Sequence, residues 1–242
     1  MDAVTTFGPV ALVGSGEFTP AMSAVDRLLL EGRSPRVVFL PTAAGPEGPE
    51  RVSYWVDLGR DHYHGLGAEP VPLLVLDRPA ADDPDLAARV EGAGLVYLSG
   101  GNPEYLAATL AGTRVLDAIL AAWKAGAALA GCSAGACALT AAVFGAGLSW
   151  VRSPGLAVIP GVVVLPHFDA IERWWPDIVG RNLSALEPGE ILVGIDESTA
   201  LVGGPDRFEV HGAGAAWVVD EAGRVPHPAG AVLDLRLAAP HP

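Results

Sequence analysis

The sequence carries one serine whose neighbours suit it to nucleophilic chemistry, Ser133 in Gly131-Cys132-Ser133-Ala134-Gly135. A G-x-S-x-G pattern directly after a buried strand forms a sharp strand-to-helix turn that projects the serine Oγ, and small flanking residues make that turn possible. Read conservatively, the same residues are a tight Gly/Ala turn whose serine caps a helix. Cys132 competes as nucleophile, but Ser133 occupies the centre of the turn. A serine hydroxyl needs a base, and six histidines are available. His241 lies in the tail and His227 stands between prolines, while His62 and His64 form an H-x-H without a neighbouring carboxylate or third histidine, so no metal site is expected. His167, in Pro166-His167-Phe168, follows the apolar run Val162-Val163-Val164-Leu165 and so stands at a strand end, where sites of α/β sheets gather. Its alternative reading is a histidine hydrogen-bonded at a strand terminus.

The carboxylate that orients the imidazole must come from outside the stretch 138–166, which has no Asp or Glu. Asp196-Glu197 follows an apolar run at 191–195; Glu197 is the first choice, Asp196 the reserve and Asp169 a weaker candidate, against the reading of a solvated acidic turn. Oxyanion donors are expected at the Ala134 N–H and in the turn Ser99-Gly100-Gly101-Asn102, with Gly101 preferred. Gly14-Ser15-Gly16-Glu17-Phe18 lacks the third glycine of a dinucleotide loop and puts Glu17 where phosphate would sit, so no cofactor is expected and this loop should shape the pocket rim.

To present these groups, the chain needs strands ending beside one another. Short Val/Leu/Ala runs at 10–14, 36–40, 70–74, 95–99 and 127–130 alternate with helix-like stretches at 19–31, 49–66, 83–92 and 103–125, the pattern of a parallel sheet covered on both faces. A helix over 134–142 should follow the serine. Beyond Pro154 come closely spaced β-like runs at 156–165, 191–195, 199–202, 207–210 and 215–219, with a helical stretch at 174–186; these should continue and edge the same sheet. Residues 226–228 and 240–242 read as loop and tail.

With 242 residues, half of them hydrophobic, the chain can bury a full core and is expected to form a single domain over 1–242. Its net charge of -13 disfavours nucleic acid, because phosphates gain affinity from Lys and Arg clusters. No apolar run reaches the roughly 18 residues of a membrane span, and the first residues show no basic region ahead of an apolar one. A soluble, cytoplasmic protein is expected, possible homodimer included, with no membrane partner. Cys132 and Cys137 are too few for a disulfide framework or a four-ligand zinc site.

Four segments together resemble peptidase family S51, which includes aspartyl dipeptidase (dipeptidase E) and cyanophycinase: Gly100-Gly101-Asn102, Gly131-Cys132-Ser133-Ala134-Gly135-Ala136, Pro166-His167-Phe168 and Gly194-Ile195-Asp196-Glu197-Ser198-Thr199-Ala200. The resemblance runs in order from about Val10 to Val219. It implies a class I glutamine amidotransferase-like (flavodoxin-like) three-layer α/β sandwich with a doubly wound, mostly parallel sheet. It further implies Ser133 as nucleophile, His167 as base, Glu197 as third member and Gly101 as oxyanion donor, with a small peptide as substrate; Asn102 and Arg173 are further candidates for binding that substrate. Cyanophycinases carry Asp-Gln before the histidine and arginines soon after it; here Leu165-Pro166 precede His167 and only Arg173 follows nearby, so the pattern sits closer to the dipeptidase branch, whose members favour an N-terminal Asp. Yet no motif fixes Arg152, Arg173 or Arg181 as the required cation, and Trp174-Trp175 read either as packing or as an aromatic pocket wall. Two other readings stand: an α/β-hydrolase-type esterase using Ser133, Asp196 and His211, and a catalytically silent member of the fold that binds a small metabolite or a partner protein.

Overall fold

The computed structural model of the chain describes residues 7–145 and 151–235. The first half alternates strand and helix: β1 (Val10–Val13), α1 (Ser23–Leu30), β2 (Arg36–Leu40), α2 (Pro49–Gly65), β3 (Glu69–Pro72), α3 (Arg78–Ala81), α4 (Pro84–Ala88), β4 (Leu95–Leu98), α5 (Pro103–Leu110), α6 (Arg114–Lys124), β5 (Ala128–Cys132) and α7 (Ala134–Leu139). Strands β3, β2, β4, β5 and β1 pair in that order, all parallel. Successive residues of a strand point to opposite faces. Thus Val10, Leu12, Val38 and Val96 join one core with residues of α5, α6 and α7, while Ala11, Val13, Val37 and Phe39 join another with Val25 and Leu29 of α1 and Tyr63 of α2. These two cores make the sheet the middle of three layers, the doubly wound α/β sandwich expected. The prolines of β3 are tolerated because it is an edge strand.

Several local expectations are corrected. The stretch 103–125 is two helices, α5 and α6, bent by 91° where Gly112 turns left-handed (φ 67°) and Thr113 caps α6. The segment 19–31 opens with a 3-10 turn at Pro20–Met22 before α1. The stretch 83–92 is helical only over α4, and α7 stops at Leu139.

The second half contains β6 (Ala142–Phe144), β7 (Arg152–Pro154), β8 (Val162–Leu165), α8 (Ile171–Trp174), α9 (Ile178–Ser184), β9 (Ile191–Ile195), β10 (Thr199–Gly203), β11 (Arg207–Gly212), β12 (Ala215–Asp220), β13 (Gly223–Pro228) and β14 (Val232–Asp234). Only β10, β11 and β14 extend the main sheet, antiparallel, beyond β1. Strands β8, β9, β12 and β13 form a separate four-stranded sheet, and β6 and β7 pair with each other. The expectation that every late strand edges one sheet is therefore wrong. The chain turns sharply at Ser198 (φ 52°) between β9 and β10, which releases β10 to pair with β1 while β9 stays with β8 and β12. One side of the small sheet adds Val162, Val164, Val193 and Ile195 to the main core; the other packs Val163, Leu165 and Leu192 against Ile171, Ile178 and Val179. Residues 226–228, expected as loop, belong to β13, whose prolines are accommodated because it too is an edge. Residues 240–242 lie outside the described residues. Among the described residues no single helix is long and apolar enough to cross a membrane.

Candidate active site

The parallel strands β1, β4 and β5 end side by side, and the small sheet brings the ends of β8 and β9 to the same place. Ser133, immediately after β5, holds a backbone conformation that L-residues rarely adopt (φ 49°, ψ -107°). Two hydrogen bonds fix it there: its N–H donates to Val13 O (2.9 Å), and its C=O accepts from Cys137 N (3.0 Å). The flanking glycines are needed for close approach. A Cβ at Gly131 would lie 2.4 Å from the backbone of Gly135, and one at Gly135 would lie 2.2 Å from Leu98 O on β4.

His167 Nε2 lies 3.0 Å from Ser133 Oγ, and its Nδ1 lies 2.9 Å from Glu197 Oε1. A hydrogen bond donated by Nδ1–H to the Glu197 carboxylate fixes the tautomer in which Nε2 is the acceptor facing the serine hydroxyl. The imidazole is held in place: His167 itself is left-handed (φ 52°), and the next residue ties down to β9 through Phe168 N–H to Ile195 O (3.0 Å). Asp169 holds the acid's loop, its Oδ1 accepting from Glu197 N (2.9 Å).

The backbone amides around Ser133 divide into used and free. Gly100 N–H donates to Glu17 Oε1 (2.8 Å), Asn102 N–H to Ala43 O (2.8 Å) and Ser133 N–H to Val13 O. Among the described residues Gly101 N–H has no acceptor, and Ala134, first in α7, has none within its helix. Both residues line one cavity with Ser133 and His167.

The loop after β1, expected at the pocket rim, does not line the cavity, and its Glu17 has another place. Instead of forming a rim, it is 5% exposed and sits behind the site, where its two oxygens accept from Gly100 N and from the Cys132 thiol (2.8 Å). It ties the turn after β4 to the end of β5. An acidic residue in the short glycine-rich loop Gly14-Ser15-Gly16-Glu17-Phe18 after β1 was the available signal. Cys132 is fully buried; burial, reinforced by the Glu17 carboxylate, pushes its pKa well up, so it remains a thiol and a donor rather than a nucleophile.

Other candidates are placed elsewhere. Asp196 is 8% exposed and staples the small sheet, accepting from Ala215 N (2.9 Å) and Trp217 Nε1 (2.8 Å); burial raises its pKa. His211, on β11, faces Glu209 at 3.7 Å. No hydrogen bond among the described residues joins Ser133, Asp196 and His211, so the esterase arrangement is not assembled. Asn102 does not line the cavity: its Oδ1 caps α5 by accepting from Tyr105 N (2.9 Å). Arg173 is exposed, donates to Asp169 O (3.2 Å) and is not among the residues that line the cavity. His62 does have a carboxylate after all. Asp26 on α1, distant in sequence, meets its Nε2 at 2.7 Å in a buried pair, with Tyr63 OH at 3.3 Å from the other oxygen.

A cyanophycinase from Geminocystis herdmanii is 34% identical over 169 residues, covering 64% of this chain and 60% of that protein. One from Trichormus variabilis is 33% identical over 171 residues, covering 65% and 56%. The aligned region thus spans three-fifths or less of these curated relatives. The crystal structure of a peptidase from an acI-B1 Actinobacterium superposes with a TM-score of 0.87 at 38% identity, covering 95% of this chain and 98% of that one. A peptidase E-type protein from Listeria monocytogenes shares the fold, with a TM-score of 0.55 at 17% identity over 92% and 99% of the two chains. The model of peptidase family S51 matches residues 10–210, most of the chain, and this protein therefore belongs to peptidase family S51.

Proposed function

We propose that the protein hydrolyses peptide bonds of short peptides through a covalent acyl-enzyme on Ser133, in the manner of a dipeptidase rather than a cyanophycinase. The observation that carries this reading is the continuous hydrogen-bonded line from Ser133 Oγ through His167 to Glu197, with the unused Gly101 and Ala134 amides beside it.

In the first half-reaction Ser133 Oγ attacks the scissile carbonyl carbon as its proton passes to His167 Nε2. The imidazolium that forms is stabilised by Glu197, and the carbonyl oxygen, now negative, accepts from Gly101 N–H and Ala134 N–H. Collapse breaks the C–N bond, and His167 returns the proton to the leaving amine. A water then repeats the sequence on the ester, freeing Ser133 and a carboxylic acid. Removal of one oxyanion donor in sites of this type lowers kcat by about 10²–10³, and the loss of the acid that holds the imidazole lowers it by up to about 10⁴.

Among the described residues the cavity wall has no Lys or Arg, which argues against an aspartyl side chain there, whether it belongs to cyanophycin or to a dipeptide. The test is release of free amino acids from a pool of dipeptides, with Ser133→Ala as blank and cyanophycin granules as competing substrate. Dipeptide hydrolysis that vanishes in the blank is the expected result. Granule hydrolysis with dipeptides untouched, or an inert wild type, would overturn the reading.

A further inference from the structure

Beside Ser133 the site opens into a cavity of about 180 Å³. That is smaller than the ~300–1,000 Å³ clefts that enclose whole drug-sized ligands, and it suits a single side chain. Away from the catalytic residues its wall is built by Ala142, Val143 and Phe144 of β6, Ile171 and Trp174 of α8, and Ile178 of α9. The Trp174 ring continues this apolar surface to the base itself, 5.3 Å from the His167 ring.

Among the described residues no Asp, Glu, Lys or Arg lines the cavity. Of the arginines around the cavity, Arg152 pairs with Glu190 at 2.6 and 2.8 Å, Arg173 donates to Asp169 O and Arg224 pairs with both oxygens of Glu172, while the exposed Arg181 is not among the residues that line it. A carboxylate entering this space would lose its water without gaining a cation, which is strongly unfavourable. One polar side chain does contribute to the wall. Asn182 is 1% exposed; its Nδ2 donates to Ile178 O (2.8 Å), and its Oδ1 is a buried acceptor without a partner. A buried acceptor left unmatched marks a place for a donor.

We infer that this cavity is the side-chain subsite for a residue flanking the scissile bond, and that it takes a large uncharged side chain, best an aromatic with a donor at its tip, such as Tyr or Trp, with Asn182 Oδ1 as the acceptor. This specificity rests on the serine peptidase reading above, and it departs from an acidic preference.

The full chain is first labelled with a fluorophosphonate probe, Ser133→Ala serving as blank. It is then given dipeptide sets Xaa-Ala and Ala-Xaa, with product formation followed by mass spectrometry. In one of the two sets Tyr, Trp, Phe and Leu should exceed Asp and Glu by about 100-fold or more in kcat/KM, with Tyr above Phe. Asn182→Leu, which deletes the acceptor, should remove the advantage of Tyr over Phe, and the near-isosteric Asn182→Asp, which keeps an oxygen there to accept from the Tyr hydroxyl, should retain it, while probe labelling persists in both. Equal or greater turnover of Asp or Glu overturns the apolar subsite while leaving the peptidase reading intact. Equal turnover of Tyr and Phe in the wild type overturns the role of Asn182. Absence of Ser133-dependent labelling removes the peptidase reading and the subsite with it.

Discussion

The backbone at Ser133 should store measurable strain, and a pair of substitutions at that one position can weigh it. Ser133→Ala and Ser133→Gly both delete the hydroxyl and its 3.0 Å contact with His167, so they differ only in the Cβ. Alanine must still adopt φ 49° and ψ -107°, whereas glycine reaches that region freely. A non-glycine residue held in such a region carries about 1–3 kcal/mol. Against this, glycine's extra freedom in the unfolded chain offsets about 0.5–1 kcal/mol. Near mid-range, about 1 kcal/mol remains in favour of the glycine variant. A chain of 242 residues has an unfolding entropy of about 0.5 kcal/mol/K at the usual per-residue value, so the glycine variant should melt ~2 °C higher. Differential scanning calorimetry of the two proteins in one buffer resolves such a difference. Both should be catalytically dead. A glycine variant that melts at or below the alanine variant would refute the claim that the fold holds its nucleophile under strain.

Three further outcomes follow from the same geometry. Gly101→Ala would place a Cβ 2.4 Å from Ala43 O at φ 137°, so the loop must move its amide; kcat should fall about 10²–10³ with KM little changed, read from steady-state kinetics on a cleaved peptide. Glu17→Ala leaves the buried Gly100 amide without an acceptor, at about 1–3 kcal/mol, and should lower kcat as well as the melting temperature; Glu17→Gln, which keeps an acceptor for Gly100, should lose less of both. Burial pushes the Cys132 thiol well up and Cys137 to about 12, so at pH 8 both remain protonated. Iodoacetamide should therefore modify neither cysteine in the native protein and both in guanidinium, with mass spectrometry as the readout; alkylation of native Cys132 would contradict its placement.

Much of the site could be read before folding because each member ends an apolar run. Ser133 follows β5, His167 comes two residues after β8 and Glu197 two after β9, and strand ends are where a sheet presents side chains to a cleft. The choice between Asp196 and Glu197 could not be made from adjacency alone. It is decided by β12, a partner distant in sequence that draws Asp196 inward through Ala215 and Trp217. Asn102 was misread although its own neighbours spoke for a cap: Asn before Pro103-Glu104 is a helix start, and its side chain accepts from Tyr105 N. Glycine at 112 and threonine at 113 likewise marked the break between α5 and α6. The division of the late strands into two sheets was not legible, since local patterning says that a segment is a strand and not which strand it pairs with. The same holds for the Asp26–His62 pair, made between two helices that are brought together only by packing on the sheet.

The central claim is that Ser133 is activated by His167 for covalent chemistry. Intact-protein mass spectrometry after brief exposure to a fluorophosphonate tests it most directly. The wild type should gain one adduct that maps by peptide digestion to Ser133, His167→Ala should gain it orders of magnitude more slowly, and Ser133→Ala should gain none. An adduct that persists in Ser133→Ala, or a wild type that remains unmodified, would contradict the account.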